Sequence, residues 1–176
     1  KHQIPIIEGK IDRVTAEKKG VLSIHVSGNR SYGSSQSDES SRGSELSSPD
    51  LIGGSIPFEI AAKHFILATG KFFSGGIRKE RVFRETVFNL PLFYKLHPVR
   101  DHDTPFFITR GFRQAQPLFS MGVRTTALLH PVNERSEVIY ENVRACGTIL
   151  ADVNPYQDDR HFGVSVVSGY QAGDVA

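Results

Sequence analysis

Residues 64 to 76 read His-Phe-Ile-Leu-Ala-Thr-Gly-Lys-Phe-Phe-Ser-Gly-Gly, and the fold turns on how they are read. The stretch begins as a short apolar run, residues 65–68, the pattern of a buried strand. It breaks at Thr69-Gly70 into a loop with three glycines in seven residues, Gly70, Gly75 and Gly76. A buried strand ending in small residues is the usual setting for a ligand in an α/β sheet, since ligands there sit outside the carboxyl ends of the strands. Glycine suits such a loop, because with no Cβ the backbone can pass close to a phosphate or a ring. A tight strand exit looks the same, so the pattern by itself leaves both readings open.

Upstream of this loop the chain reads as β-structure. Residues 4–7 form a short apolar run, and Ile11, Val14, Val21, Leu22, Ile24 and Val26 add apolar, mostly β-branched positions. Lys18-Lys19-Gly20 marks a turn between them, which predicts a hairpin or meander. Residues 27–50 differ: nine of the twenty residues at 31–50 are serine, and the large apolar ones are Tyr32 and Leu46. Such a segment cannot bury enough surface to offset its ordering entropy, so it reads as a flexible insertion. Residues 55–62 then form an edge strand, since they carry Pro57.

Downstream, residues 77–118 are charged with apolar residues interleaved. They include Phe88, Leu90, Leu92, Phe93 and Tyr94 around Pro91, a His/Asp-rich turn at 97–103, and a strand at 106–108. The tail from Gly163 to Gly173 is rich in small residues and valine, so helix and strand compete there.

Composition bounds the function classes. The chain has 176 residues, enough for one domain with a core. Its net charge of +2 provides no strong field for nucleic acid, despite Arg110, Phe112 and Arg113 standing together. No apolar run reaches the roughly 20 residues of a membrane span. One cysteine, Cys146, excludes an internal disulfide and a cysteine-only metal cage, and its setting predicts a buried packing thiol. A reducing, cytoplasmic setting follows as the expectation. His97, Asp101, His102 and Asp103, and likewise Asp158, Asp159 and His161, are metal ligands in type, but short loop clusters of this kind are ordinarily solvated turns, and no metal is expected. Ser74 lacks the Gly-x-Ser-x-Gly elbow of a serine hydrolase.

The segment from Phe65 to Ile77 resembles the "A-[ST]-G-x-F-F-S-G-G" stretch of the B subunits of anaerobic glycerol-3-phosphate dehydrogenase, a family of two-domain flavoproteins. Met121-Gly122-Val123-Arg124-Thr125-Thr126 is similar to that family's "F-G-V-x-T" strand, and Val138 to Gly147 to its "x-I-x-N-L-[FY]-A-x-G" segment. Asp152-Val153-Asn154-Pro155 resembles its "[DN]-P" turn, and Gly163 to Gly173 its last helix. The resemblance implies an α/β fold: the C-terminal part of a two-domain flavoprotein, with a mixed sheet, a β-meander and a smaller cap-like region. Residues 1–76 would form the meander and central strand of the flavin-binding domain, 77–118 the cap or substrate side, and 119–176 the return to the flavin-binding domain. It implies FAD or FMN as cofactor, faced by Thr69, Gly70, Ser74, Gly75, Gly76, Gly147, Thr148, Gly163 and Val164. Arg84 would take the phosphate of glycerol 3-phosphate, since arginine binds phosphate bidentately; a surface ion pair is its plain alternative.

Electrons would pass toward quinone through other dehydrogenase subunits, with the membrane reached only through a partner at the inner face. The resembled family also leads one to expect a preceding Gly-x-Gly-x-x-Gly half, which this sequence lacks. Relatives are glycine-rich where this chain has Asp158-Asp159-Arg160-His161-Phe162, and carboxylates beside a helix N-terminus compete with a bound anion. Those two departures support the alternative of a non-catalytic interaction module that has lost the cofactor site.

Overall fold

The computed structural model describes residues 9–27, 57–100, 108–109, 111, 114, 116–157 and 159–174. The apolar run at 4–7, the serine-rich stretch from residue 28 on, Phe106 and Phe107 of the expected strand, and Asp101, His102, Asp103, Arg110, Phe112, Arg113 and Asp158 lie outside the described residues.

Two strands meet at the Lys18-Lys19 turn: β1 (Lys10–Glu17) and β2 (Gly20–Ser27). Lys18 takes a left-handed φ of 52°, which lets two residues close the hairpin. β3 (Pro57–Ala61) pairs antiparallel with the far side of β2 and completes a meander in the order β1-β2-β3. The proline-bearing strand is thus at an edge, as expected of a residue with no N–H to donate. Val21 and Val26 bury their side chains, while most of β1 faces water.

β4 (Phe65–Leu67) pairs in parallel with β10 (Val143–Ala145). Phe65 and Leu67 are buried, but Ile66 is 48% exposed and Ala68 is exposed too. The run at 65–68 is therefore buried on one face only. A parallel sheet gets both faces covered when helices flank it, and this one has two strands.

Between these partners the chain forms two short hairpins. β5 (Ile77–Lys79) pairs with β6 (Phe83–Glu85), and β7 (Leu92–Tyr94) lies between β8 (His97–Pro98) and β9 (Gly122–Val123). The expected single mixed sheet is not what forms. There are four small sheets among the described residues, three antiparallel and one parallel. Left-handed residues at Asn89, Lys95 and Leu96 turn the chain after only two or three paired residues, so no ladder grows long.

One core nevertheless joins these pieces. Phe65, Leu67, Ile77, Phe83, Phe88, Leu90, Leu92, Met121, Val123, Val143, Ala145 and Ile149 form a single buried cluster. Each large side chain buried there contributes about 1.5–3 kcal/mol. The rings of Phe65 and Phe88 meet edge-on at 6.3 Å.

The tail is helical: α1 spans His161–Asp174. Ser168 and Ala172, four residues apart on one face, are its buried positions, and Ala172 packs with Leu129 and Cys146. That contact outweighs the strand preference of Val164, Val166 and Val167. No described helix is long and apolar enough to cross a membrane.

Candidate functional site

Because β4 and β10 run parallel, the chain leaves both at the same end. Their ladder extends one step further, where the Cys146 N–H donates to the Leu67 carbonyl at 2.9 Å. Immediately beyond come the two glycine turns, Thr69-Gly70 and Gly147-Thr148. A Cβ built on Gly70 would stand 3.5 Å from Thr148 Oγ1, so the turns are neighbours. Gly70, Gly75 and Gly147 have φ of 69°, 77° and 76°, a conformation costing an L-residue about 1–2 kcal/mol.

The 69–76 loop is held mostly by its own backbone. The Gly76 N–H donates to the Lys71 carbonyl at 2.8 Å, and the Gly75 N–H to that of Phe72 at 3.1 Å. Ser74 Oγ donates to the Lys71 carbonyl at 3.3 Å. Gly76 lies so close to the Gly70 carbonyl that a Cβ would collide with it. Thr69 Oγ1 is buried with no hydrogen-bond partner, while Gly75 is exposed with open space around it.

The middle of α1 closes the other side. Ser168 Oγ accepts from the Gly147 N–H at 2.9 Å and donates to the Val164 carbonyl at 2.6 Å. Ser165 Oγ lies 3.9 Å from where a Gly147 Cβ would be. Gly163 is exposed with nothing within 4 Å of its Cβ position, and Val164 is half-buried. These two residues share the helix end, but Ser165 and Ser168 make the contacts to the Gly147 turn. Thr69, Gly70, Ser74, Gly75, Gly76, Gly147 and Thr148 are thus brought together, with Gly163 and Val164 at their margin.

Arg84 stands apart on β6, opposite Arg78 in the register of the hairpin that follows the loop. Strand alternation puts it on the face away from buried Phe83 and Glu85. No contact among the described residues joins it to Gly70 or Gly147, and none pairs it with a glutamate.

Two buried charged residues, Lys71 and Glu85, carried no signal in the sequence. Lys71, inside the loop, is 2% exposed. Its Nζ donates to the Met121 carbonyl at 2.5 Å and the Leu150 carbonyl at 3.2 Å. Burial lowers its pKa to about 7, against a smaller raising effect of Asp152. Glu85 is 1% exposed and accepts from the N–H groups of Val87 at 2.8 Å and Phe88 at 2.7 Å. Burial raises its pKa, partly offset by those backbone donors. Cys146 is a buried free thiol whose pKa burial pushes up, as its apolar setting suggested. A lysine or glutamate inside a core is rare, so residue type alone gives no hint of either.

A cleft of about 560 Å³ opens beside the loop, lined by Ile108, Thr109, Gln116, Leu118, Phe119 and Tyr156. Phe73 of the loop reaches its rim, with its ring 5.4 Å from that of Tyr156. Among the described residues, no group of three or more His, Cys, Asp or Glu side chains could hold a metal ion. Three features at the paired turns are ones a flavin nucleotide would use. Thr69 Oγ1 lacks a partner, Gly75 has open space, and no carboxylate lies in the first turn of α1.

Comparison with known proteins gives a consistent group of relatives. Over 118 residues, 66% of this chain, it is 32% identical to the B subunit of anaerobic glycerol-3-phosphate dehydrogenase from Aliivibrio fischeri. It is 28% identical to the protein of the same name from Vibrio cholerae over 116 residues, 65% of this chain. It is also 29% identical, over 117 residues or 66% of this chain, to a protein of Halobacterium salinarum described as the probable B subunit of that dehydrogenase. The match spans about a quarter of each relative's length: 25%, 25% and 26%. No protein-family model matches the chain, and no solved structure matches it significantly.

Proposed function

We propose that this chain, a relative of the B subunits of anaerobic glycerol-3-phosphate dehydrogenase, forms one wall of a flavin site in a quinone-linked dehydrogenase. The observation that carries the reading is the meeting of the two glycine turns, with Thr148 Oγ1 3.5 Å from the Cβ position of Gly70. In this reading Thr69, Gly70, Ser74, Gly75, Gly76, Gly147 and Thr148 hold FAD or FMN, flanked by Gly163 and Val164. A bound flavin would supply the two-electron acceptor for oxidising the secondary alcohol of glycerol 3-phosphate to dihydroxyacetone phosphate, with the hydroxyl proton released to solvent. The chain's own residues bind and orient. Thr69 Oγ1 donates a hydrogen bond that it makes to nothing else among the described residues. The open, side-chain-free edge of Gly75 lets the ligand approach the backbone, while at Gly70 the Ser74 side chain fills the Cβ position and presents its hydroxyl there. Arg84, half-buried on the outer face of the β5–β6 hairpin, offers a guanidinium to the substrate phosphate. Other subunits carry the electrons onward and provide the attachment to the inner face of the membrane.

A second reading is favoured by one observation. The Gly147 N–H, which a cofactor phosphate would use, is already taken by Ser168 Oγ at 2.9 Å. On that reading the chain is an interaction module that keeps the fold and binds no flavin. The visible spectrum separates the two. The protein is purified at its full natural length, incubated with FAD or FMN, and desalted. Retained bands at roughly 370 and 450 nm support the flavin site. A chain left colourless by both supports the module.

A further inference from the structure

Lys71 belongs to the glycine loop, yet its ammonium is directed inward. Its backbone carbonyl accepts from the Gly76 N–H and from Ser74 Oγ, so the loop closes on this residue. Its side chain reaches two carbonyls on other segments: Met121, just before β9, and Leu150, just after the 3-10 turn Gly147–Ile149. Those segments cross where Gly122 packs on the Leu150 carbonyl with no room for a side chain. The Ala151 N–H donates to the Val123 carbonyl at 2.9 Å, and the Asp152 N–H to that of Ser120 at 2.8 Å, which fixes the crossing. One nitrogen thus ties the first glycine loop to the strand-and-turn unit that carries the second.

We propose that Lys71 is the positioning residue of the paired turns, and that gain or loss of its proton changes how the 69–76 loop is held against the Gly147 turn. Two carbonyl acceptors satisfy an ammonium by charge–dipole attraction, whereas a neutral amine makes weaker bonds to them. Removing the proton weakens these two bonds but lifts the larger desolvation penalty, so the protonated form is the one that holds the loop less firmly, with the side chain unchanged. Asp152 is the ionisable group whose charge reaches Lys71, from the turn after Leu150. The partners on the loop, on the Met121 side and at Leu150 are uncharged backbone carbonyls. Burial places the midpoint of the change at about pH 7, so the device works at neutral pH.

The inference rests on the paired turns as the binding site, but its test needs no cofactor. The chain is isotope-labelled at lysine and glycine, and the Lys71 side chain is followed by NMR from pH 5.5 to 9.5 together with the amides of Gly70, Gly75 and Gly76. The expected result is a Lys71 midpoint near pH 7, with the three glycine amides shifting at the same midpoint. Asp152→Asn, which removes the attraction that holds the proton, moves all four midpoints to lower pH. A Lys71 that titrates in the ordinary lysine range, or glycine amides that stay fixed while it titrates, overturns the proposal. Flavin retention is read separately by absorbance, so either idea can fail while the other stands.

Discussion

Gly76 and Gly75 are neighbours in sequence and differ in what they require. Gly75 has a left-handed φ and empty surroundings, so Gly75→Ala loses only the conformational term, about 1–2 kcal/mol. At Gly76 a Cβ meets the Gly70 carbonyl, which is backbone and cannot swing away. Gly76→Ala is therefore expected to lower the urea midpoint further than Gly75→Ala does. Glu85→Ala leaves the Val87 and Phe88 amides without acceptors, at about 1–3 kcal/mol for each one buried. Lys71 gives a pH dependence of definite sign. Its folded pKa of about 7 lies below the unfolded 10.5. Below pH 7 both states hold the proton, and the burial penalty is fully present. Between pH 7 and 10.5 the unfolded chain binds more protons, so this residue's contribution to stability rises with pH. Melting temperatures at pH 6.5 and pH 9 are expected to move in favour of the native chain relative to Lys71→Met. A larger deficit for the native chain at pH 9 would contradict the buried lysine.

At the scale of elements, α1 has two unlike faces. Ser168 and Ala172 point inward, whereas Phe162, Val166, Val167 and Tyr170 are 71%, 56%, 65% and 75% exposed. Val166→Ser is expected to change stability by no more than about 0.5 kcal/mol, as surface substitutions do. Ser168→Ala orphans the Gly147 amide and costs about 1–3 kcal/mol, readable as a lower melting temperature by far-ultraviolet circular dichroism. The same helix shows why sequence reading stops where it does. Its valines argue locally for strand, and only the contact of Ala172 with Leu129 and Cys146, far away in the chain, decides the matter. The hairpin was legible because its turn and both its strands are adjacent in sequence. So was the strand-then-glycine pattern at 65–70. The pairing of β4 with β10 was not, since their registers lie 78 residues apart (Phe65 with Val143) and no local feature records the partner.

At the scale of the whole molecule, Asn142 fastens the meander to the parallel pair. Its Oδ1 accepts from the Val21 N–H at 2.8 Å, and its Nδ2 donates to the carbonyls of Val21 at 2.7 Å and Lys63 at 3.2 Å. Asn142→Ala is expected to speed amide exchange across β1 and β2 more than across β10. Equal protection of both would show that the core alone holds the meander in place. Such long-range ties, like the inward turn of Lys71, leave no local mark, so the residue pattern alone showed two glycine segments, and their meeting was implied only by the family resemblance. Residue type shows where a backbone can turn, and tertiary packing brings the turns together. The aromatic row beside the loop has a practical consequence. Tyr156 lies between Phe73 and Phe119, at ring separations of 5.4 and 4.6 Å, in a protein with five tyrosines and no tryptophan. With no indole to drain its excitation, phenol emission is directly visible. The difference spectrum between the native chain and Tyr156→Phe gives the glycine loop an intrinsic optical reporter that needs no attached dye.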